Sequence, residues 1–155
     1  VRGVVAGRGA GTEGLVLDSP GTLAAKSAVL PGVLADRVVV TLQPTVPSLS
    51  DGLKVREYAR SYGTGAAGVL FNKVHGRLGR VADRVEAQFG AGTLAVVPDC
   101  DAVRDARDAG EPVLAHAPDS AAATAFREAA TTLEPRPGRA GAVADRFREA
   151  VVPES

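Results

Sequence analysis

Four short apolar runs divide the sequence, and each is continuous rather than alternating with polar positions. They are residues 15–17, 38–42, 67–71 and 94–97. Continuous apolar runs of this length are typical of strands covered on both faces by other elements. A polar or Gly/Pro turn follows each run at once. The pattern therefore predicts four buried strands that each end in a polar turn.

The segments between these runs have helical spacing. Apolar positions within residues 49–62 and 81–89 recur at three- and four-residue steps. A further helix is predicted to end near Leu133. The predicted N-caps are Ser48, Asp101 and either Asp119 or Ser120. Strand, turn and helix in alternation predict an α/β fold, with a mostly parallel sheet, right-handed crossovers and helices on both faces.

Polar or turn-forming residues directly follow the four runs. They are Asp18, Gln43, Asn72 and Pro98. In open parallel sheets, ligands bind beyond the carboxyl ends of the strands. We therefore expect these residues to converge on one edge of the sheet and to form a binding site there.

Asp18 stands at the tip of a predicted buried strand. A carboxylate in that place is unfavourable without a partner, and Mg²⁺ or its bound water is a common one. Pro20 and Gly21 then allow a tight turn whose backbone N–H groups can face a phosphate. A simple capping role for Asp18 in the next helix explains the same spacing, and both interpretations stay open.

Two other turns contain candidate chemistry. Asn72 offers a donor and an acceptor, which suits the edge of an adenine base, although an ordinary turn role is the simpler explanation of that residue alone. Asp99 and Asp101 follow the fourth run. The two carboxylates suggest a general acid–base pair, although a capping role at the start of the next helix is the simpler explanation for at least one of them.

Composition narrows the function classes. The 155 residues suit one domain; 45% are apolar and only 4% aromatic, so small aliphatic side chains must fill the core. The 18 basic and 18 acidic residues balance, which does not support nucleic-acid binding. Cys100 has no partner for a disulfide, His75 and His116 lack ligands at zinc spacing, and no run could span a bilayer. These features predict a cytoplasmic protein.

In this order, the segments resemble the MinD/ParA family of deviant Walker A P-loop ATPases. The matching stretches are LVLDSPG (15–21), ADRVVVTLQPTVPSLSDGLKV (35–55), GVLFNKV (68–74) and VVPDCDAVRDARDAGEPVLAHAPDSAAATAFREAA (96–130). The last stretch is the most specific, because it is long and ordered. The resemblance implies that residues 15–133 are the C-terminal part of a nucleotide-binding domain, with a truncated P-loop NTPase fold.

The resemblance also implies ATP and Mg²⁺ as cofactors, and it gives roles to particular residues. Asp18 would be the catalytic acid that holds a magnesium-bound water. The nucleotide-binding positions would be Pro20 and Gly21 at the γ-phosphate, Asn72 at the adenine, and Pro98, Asp99 and Val103 along the base. Asp51 would lie near a dimer interface. Family members sandwich two ATP molecules between two subunits, and hydrolysis separates the subunits.

Such a cycle positions cell-division machinery, chromosomes or plasmids, so the expected function is an ATP-binding protein and ATPase of spatial positioning. The expected partner is a second copy or a related ATPase. The family's Lys-Gly-Gly-x-Gly-Lys-Thr loop, however, has no counterpart. Residues 7–13 are Gly-rich, but Thr12 and Glu13 stand where Lys-Thr is needed. Enzyme activity therefore stays open, and the alternative is an ATP-incompetent interaction or regulatory module that binds a full-length relative or its partners.

The two ends differ in composition from the rest. Residues 1–14 are expected to be a Gly-rich lead-in, 134–141 a linker and 142–155 a terminal amphipathic helix. Apolar residues at helical spacing within 142–152 suit contact with the inner face of the membrane. A loosely docked or frayed terminal helix is the simpler explanation, and it is favoured because the segment is short and contains acidic residues.

Overall fold

Three parallel strands form the sheet in the computed structural model, which describes residues 16–19, 31–32 and 34–133. The strands are β1 (Arg37–Leu42), β2 (Gly65–Val74) and β3 (Thr93–Pro98), in the order β1-β2-β3. The helices are α1 (Val46–Ser61), α2 (Arg80–Phe89), α3 (Asp101–Ala109), α4 (Val113–His116) and α5 (Ala121–Thr132). The predicted α/β fold with a parallel sheet is confirmed.

The central strand β2 sends alternate side chains to opposite faces of the sheet. Val69 and Phe71 are fully buried on the face covered by α1 and α2, where Val85 and Phe89 belong to the same cluster. Leu70 lies on the other face. The two clusters confirm helices on both faces.

The second face is filled mainly by alanine. Leu70, Ala95 and Val97 of the sheet pack with alanines of α5. Those alanines are Ala122, Ala125 and Ala129. Because alanine side chains are small, the helix axis can approach the sheet closely without leaving voids. This packing explains how a chain with few aromatic residues closes its core.

The strand predicted at 15–17 is wrong for the two of its residues that are described. Val16 and Leu17 lie outside any helix or strand, and Val16 is 95% exposed. A strand needs a neighbour that satisfies its backbone N–H and C=O groups. Within the described residues the sheet consists of β1, β2 and β3, and this run pairs with neither edge strand.

Two predicted helix caps are also wrong. The N-cap of α1 is Thr45 and not Ser48. Because Pro47 fits the first turn of a helix, the helix begins earlier in the sequence than predicted, at Val46. Cys100, not Asp101, is the N-cap of α3, and Asp101 is the first helical residue. Its carboxylate pairs with an arginine three residues further on instead of with a backbone N–H.

The cap of α5 is confirmed at Ser120, whose hydroxyl accepts a hydrogen bond from the N–H of Ala123 at 3.2 Å. None of the helices in the described part is both long and apolar enough to cross a membrane. Several predicted features lie outside the described residues: the lead-in 1–14, Pro20, Gly21, the linker 134–141 and the terminal helix 142–155.

Candidate nucleotide site

The carboxyl ends of the three strands surround an open cleft with a volume of ≈ 470 Å³. Its described lining residues are Gln43, Pro44, Thr45, Lys73, His75 and Asp99. Each strand end contributes, because parallel pairing brings all three ends to one edge. The expected convergence is therefore observed for the three strands that form.

The first wall of the cleft is the turn between β1 and α1. The N–H of Gln43 donates to the Ser48 hydroxyl at 2.9 Å, and the N–H of Thr45 donates to the carbonyl of Gln43 at 2.8 Å. The first turn of α1 contains no acidic residue, and the Thr45 side chain makes no cap hydrogen bond. Free N–H groups at a helix start carry partial positive charge, so this wall favours a negatively charged group.

The second wall is the end of β2, where the backbone turns sharply. Lys73 adopts φ 53°, a left-handed conformation that side chains other than glycine rarely occupy. The Asn72 Oδ1 accepts a hydrogen bond from the Lys73 N–H at 2.9 Å. The Asn72 amide nitrogen donates to no other described residue, so its two N–H groups are available to a ligand.

We expect Lys73→Gly to preserve or raise the free energy of unfolding, by up to about 1 kcal/mol, because glycine adopts positive φ without steric strain. The matched control is Lys54→Gly within α1, which should lower the free energy of unfolding by about 1 kcal/mol. Urea denaturation of both variants checks the prediction. If Lys73→Gly destabilises as much as the control, the left-handed turn is not held in solution.

The third wall is organised by Asp99, whose side chain is 25% exposed. One carboxylate oxygen lies 3.0 Å from His75 Nε2, and the other lies 2.7 Å from Arg104 Nη1. The Asp99 N–H also donates to the carbonyl of Val74 at 3.1 Å. These contacts tie the ends of β2 and β3 to the first turn of α3.

Asp101 shares the same guanidinium, which contacts both carboxylates. Hydrogen bonding to Asp101 raises the pKa of Arg104 above its ordinary value. Since both acids are engaged by one arginine, the arrangement favours an ion-paired network over the general acid–base pair considered from the sequence.

The predicted site residues are not all near this cleft. Asn72 adjoins Lys73, and Pro98 is half-buried at the end of β3. Val103 packs against the alanine-rich core, so its side chain has a packing role whether or not a nucleotide binds. Asp51 is exposed on α1 and pairs with Lys54 at 2.9 Å.

Asp18 and Ser19 are both exposed and lie outside any helix or strand. Among the described residues, no group of three or more His, Cys, Asp or Glu side chains is placed to hold a metal ion. A magnesium role for Asp18 therefore depends on the resemblance alone, and it stays a prediction.

Lys73 and His75 line the cleft and Arg104 contacts Asp99, yet none of these three was predicted as a site residue. Lys73 is the next-to-last residue of β2, His75 directly follows that strand, and Arg104 lies in the first turn of α3. The first two could have been found from their place at a strand end. The third could not, because its role depends on a contact between separate elements.

The chain is 30% identical over 122 residues to an uncharacterised ATP-binding protein of Methanocaldococcus jannaschii, covering 78% of this chain and 46% of that protein. Its fold is similar to the cell division ATPase MinD of Pyrococcus furiosus, with a TM-score of 0.63 and 28% identity, covering 74% of this chain and 48% of that one. No family model matches the chain.

A further similar structure is the septum site-determining protein MinD of Pyrococcus horikoshii in complex with Mg-ADP. The TM-score is 0.62 and the identity 26%, covering 73% of this chain and 46% of that one. The chain thus spans about half the length of the relatives that it matches.

Proposed function

We propose, from the premise that this chain is MinD/ParA-like in both sequence and fold, that it forms the adenine-binding side of an ATP site in a protein of spatial positioning. The observation that carries the proposal is the cleft at the carboxyl ends of the strands, which is lined by Lys73, the residue that follows Asn72. The similar structure that contains Mg-ADP supports a nucleotide as the ligand class.

Asn72 can read adenine through both atoms of its amide. The hydrogen bond from the Lys73 N–H identifies which atom of the Asn72 side-chain amide is the oxygen. That oxygen has a second lone pair, which can accept a hydrogen bond from the adenine N6 amine. The amide N–H then donates to N7. Asparagine pairs with adenine in this two-bond manner, whereas guanine presents two acceptors at the same edge. The arrangement should therefore prefer adenine nucleotides over guanine nucleotides.

The residues fit the base side of such a site better than the phosphate side. The start of α1 and the exposed Lys73 favour an anion. The Gly-rich residues 7–13, however, contain no lysine to hold the β- and γ-phosphates. ATP and magnesium, when bound, supply the hydrolysable phosphate and its counter-charge. The residues described in the cleft would bind and orient the base.

Replacing Asn72 by aspartate is expected to weaken AMP binding by about tenfold or more, because the amide donor becomes a second acceptor with negative charge. Gln88→Glu on the exposed side of α2 makes the same chemical change away from the cleft. This control should leave AMP affinity unchanged. The measurement is an NMR titration of each variant with AMP. Equal affinity of Asn72→Asp and the parent chain would remove Asn72 from the site.

A second candidate function is an ATP-incompetent module that pairs with a complete relative. Thr12 and Glu13 in place of Lys-Thr favour it, as does the exposure of Asp18. Mixed with a complete MinD-type ATPase, such a module should form a heterodimer and change the rate of ATP turnover. Unchanged turnover at saturating chain concentration, with no complex in sedimentation velocity, would exclude this role.

We also propose pairing with a second copy or a related ATPase, with Asp51 near the interface. Its carboxylate is exposed at the surface of α1, where it pairs with Lys54 of the same helix, so a partner would share or displace that ion pair. Contact of residues 142–152 with a membrane surface remains part of the proposal. Liposome flotation with and without residues 139–155 tests that contact, and equal partitioning would remove it.

A further inference from the structure

Residues 73–84 carry an unusual concentration of positive charge, and we refer to them as the basic segment. Its cationic residues Lys73, Arg77, Arg80 and Arg84 are all exposed. Asp83 is the one acid in this segment. None of the four cations makes an ion pair with another described residue. The segment therefore presents uncompensated positive charge to solvent.

Cations elsewhere in the described chain are mostly paired. The pairs are Lys54 with Asp51, Arg56 with Glu57, Arg104 with Asp99 and Asp101, and Arg107 with Asp108. Arg60 is exposed on α1 without such a partner, and Arg127 of α5 donates to the carbonyl of Pro118 instead of to a carboxylate. The four unpaired cations of the basic segment are thus a local feature of a chain whose total charge is balanced, while Asp83 lies in the segment and Asp99 contacts its His75.

The position of these arginines opposes the stability of α2. Arg80 is the first residue of the helix and Arg84 lies one turn further on, while the N-cap Gly79 provides no side-chain hydrogen bond. The start of a helix carries partial positive charge, so cations there are unfavourable and anions are favourable. Arginines in this place are more easily explained by binding than by folding.

We propose that the basic segment is a docking surface for an acidic segment of a partner protein. Val81 follows Arg80 in the first turn of α2 and is 38% exposed, which offers an apolar contact beside the charged residues. Arg80 and Arg84 are four residues apart on one helix, so they match two carboxylates one turn apart on a partner helix. The balanced total charge of the chain does not support DNA as the occupant.

A lipid surface fits less well, because the segment contains no aromatic residue to anchor in the headgroup region. The basic segment borders the nucleotide cleft through Lys73 and His75, which belong to both. The three arginines are not among the described lining residues of the cleft. The docking proposal is therefore independent of the proposed adenine site.

The test is fluorescence anisotropy with a labelled helical peptide that has glutamates at four-residue spacing and leucines between them, at about 50 mM NaCl. The double variant Arg80→Gln/Arg84→Gln should bind this peptide about tenfold more weakly than the parent chain. The control Arg60→Gln/Arg107→Gln removes the same charge from α1 and α3, and it should change the affinity by less than about twofold. Val81→Ser should weaken binding by about threefold.

Two results would overturn the docking surface. One is equal loss of peptide binding in the double variant and its control. The other is tighter binding of a short DNA duplex or of phosphatidylserine vesicles than of the peptide. Arg80→Glu adds a separate readout: it should raise the melting temperature by about 2 °C while peptide binding is lost. A lower melting temperature would show that Arg80 serves folding, contrary to the proposal.

Discussion

Replacing Phe71 by alanine is expected to lower the free energy of unfolding by about 3–5 kcal/mol, the largest effect of any single substitution considered for this chain. Phe71 is fully buried on the central strand, and its cluster includes Leu42 of β1 and Phe89 of α2. Removing the ring leaves a cavity bordered by three elements, and the surroundings can close it only in part. Urea denaturation monitored by circular dichroism measures the change.

The matched control is Phe126→Ala on α5. Phe126 is only partly buried and packs against the alanine-rich core. Phe126→Ala should therefore lower the free energy of unfolding by less than half as much as Phe71→Ala does. The slope of the denaturation curve should stay the same in both variants. Equal destabilisation would contradict the central position of β2 and the assignment of its two faces.

A second large effect is expected at Gly52, and its sign is the reverse of the usual one. Glycine to alanine inside a helix normally stabilises by about 1 kcal/mol. Here an added Cβ would lie 2.3 Å from Leu42 Cδ2 and 3.2 Å from Phe89 Cζ. Leu42 and Phe89 are both buried and cannot move aside. We expect Gly52→Ala to lower the free energy of unfolding by about 2–3 kcal/mol, measured by thermal and urea denaturation.

Gly92→Ala is the control for this substitution. No atom lies within 4 Å of an added Cβ there, and the backbone is not left-handed. The free energy of unfolding of the Gly92→Ala variant should change by less than about 1 kcal/mol. A small increase is expected, because alanine reduces the conformational freedom of the unfolded chain. Stabilisation by Gly52→Ala would mean that α1 packs further from β1 than the structure indicates.

Much of the fold follows from local sequence. The runs at 38–42, 67–71 and 94–97 predict β1, β2 and β3 to within a few residues, because buried parallel strands need continuous apolar side chains. The spacing of apolar residues in 49–62 and 81–89 likewise predicts α1 and α2. The parallel direction follows from the helices that connect the strands.

The failures occur where a local pattern depends on a distant partner. The run at 15–17 has the composition of a strand, yet a strand must pair with a neighbour, and the described residues of this run pair with no strand of the sheet. The capping role predicted for Asp101 fails because Arg104 competes for its carboxylate. Side-chain competition of this kind is decided by three-dimensional distances that spacing alone does not fix.

The candidate site was predicted in outline and not in detail. Convergence at the carboxyl edge follows from topology, and Asn72 follows from the resemblance. The left-handed Lys73 and the contacts of Asp99 with His75 and Arg104 depend on backbone geometry and on separate elements. A polar residue in the sequence can be assigned to an edge of the sheet, but its partners there cannot.

The most direct test of the adenine site is chemical-shift mapping of the whole chain with adenosine and with Mg-ATP. Both ligands should perturb residues 72–75 and 98–103. Their dissociation constants should agree within about threefold, because the Gly-rich residues 7–13 contain no lysine that would bind the phosphates of ATP. Perturbations confined to the opposite edge of the sheet, around residues 63–66 and 90–93, would contradict the site. So would the absence of any shift at the carboxyl edge with either ligand.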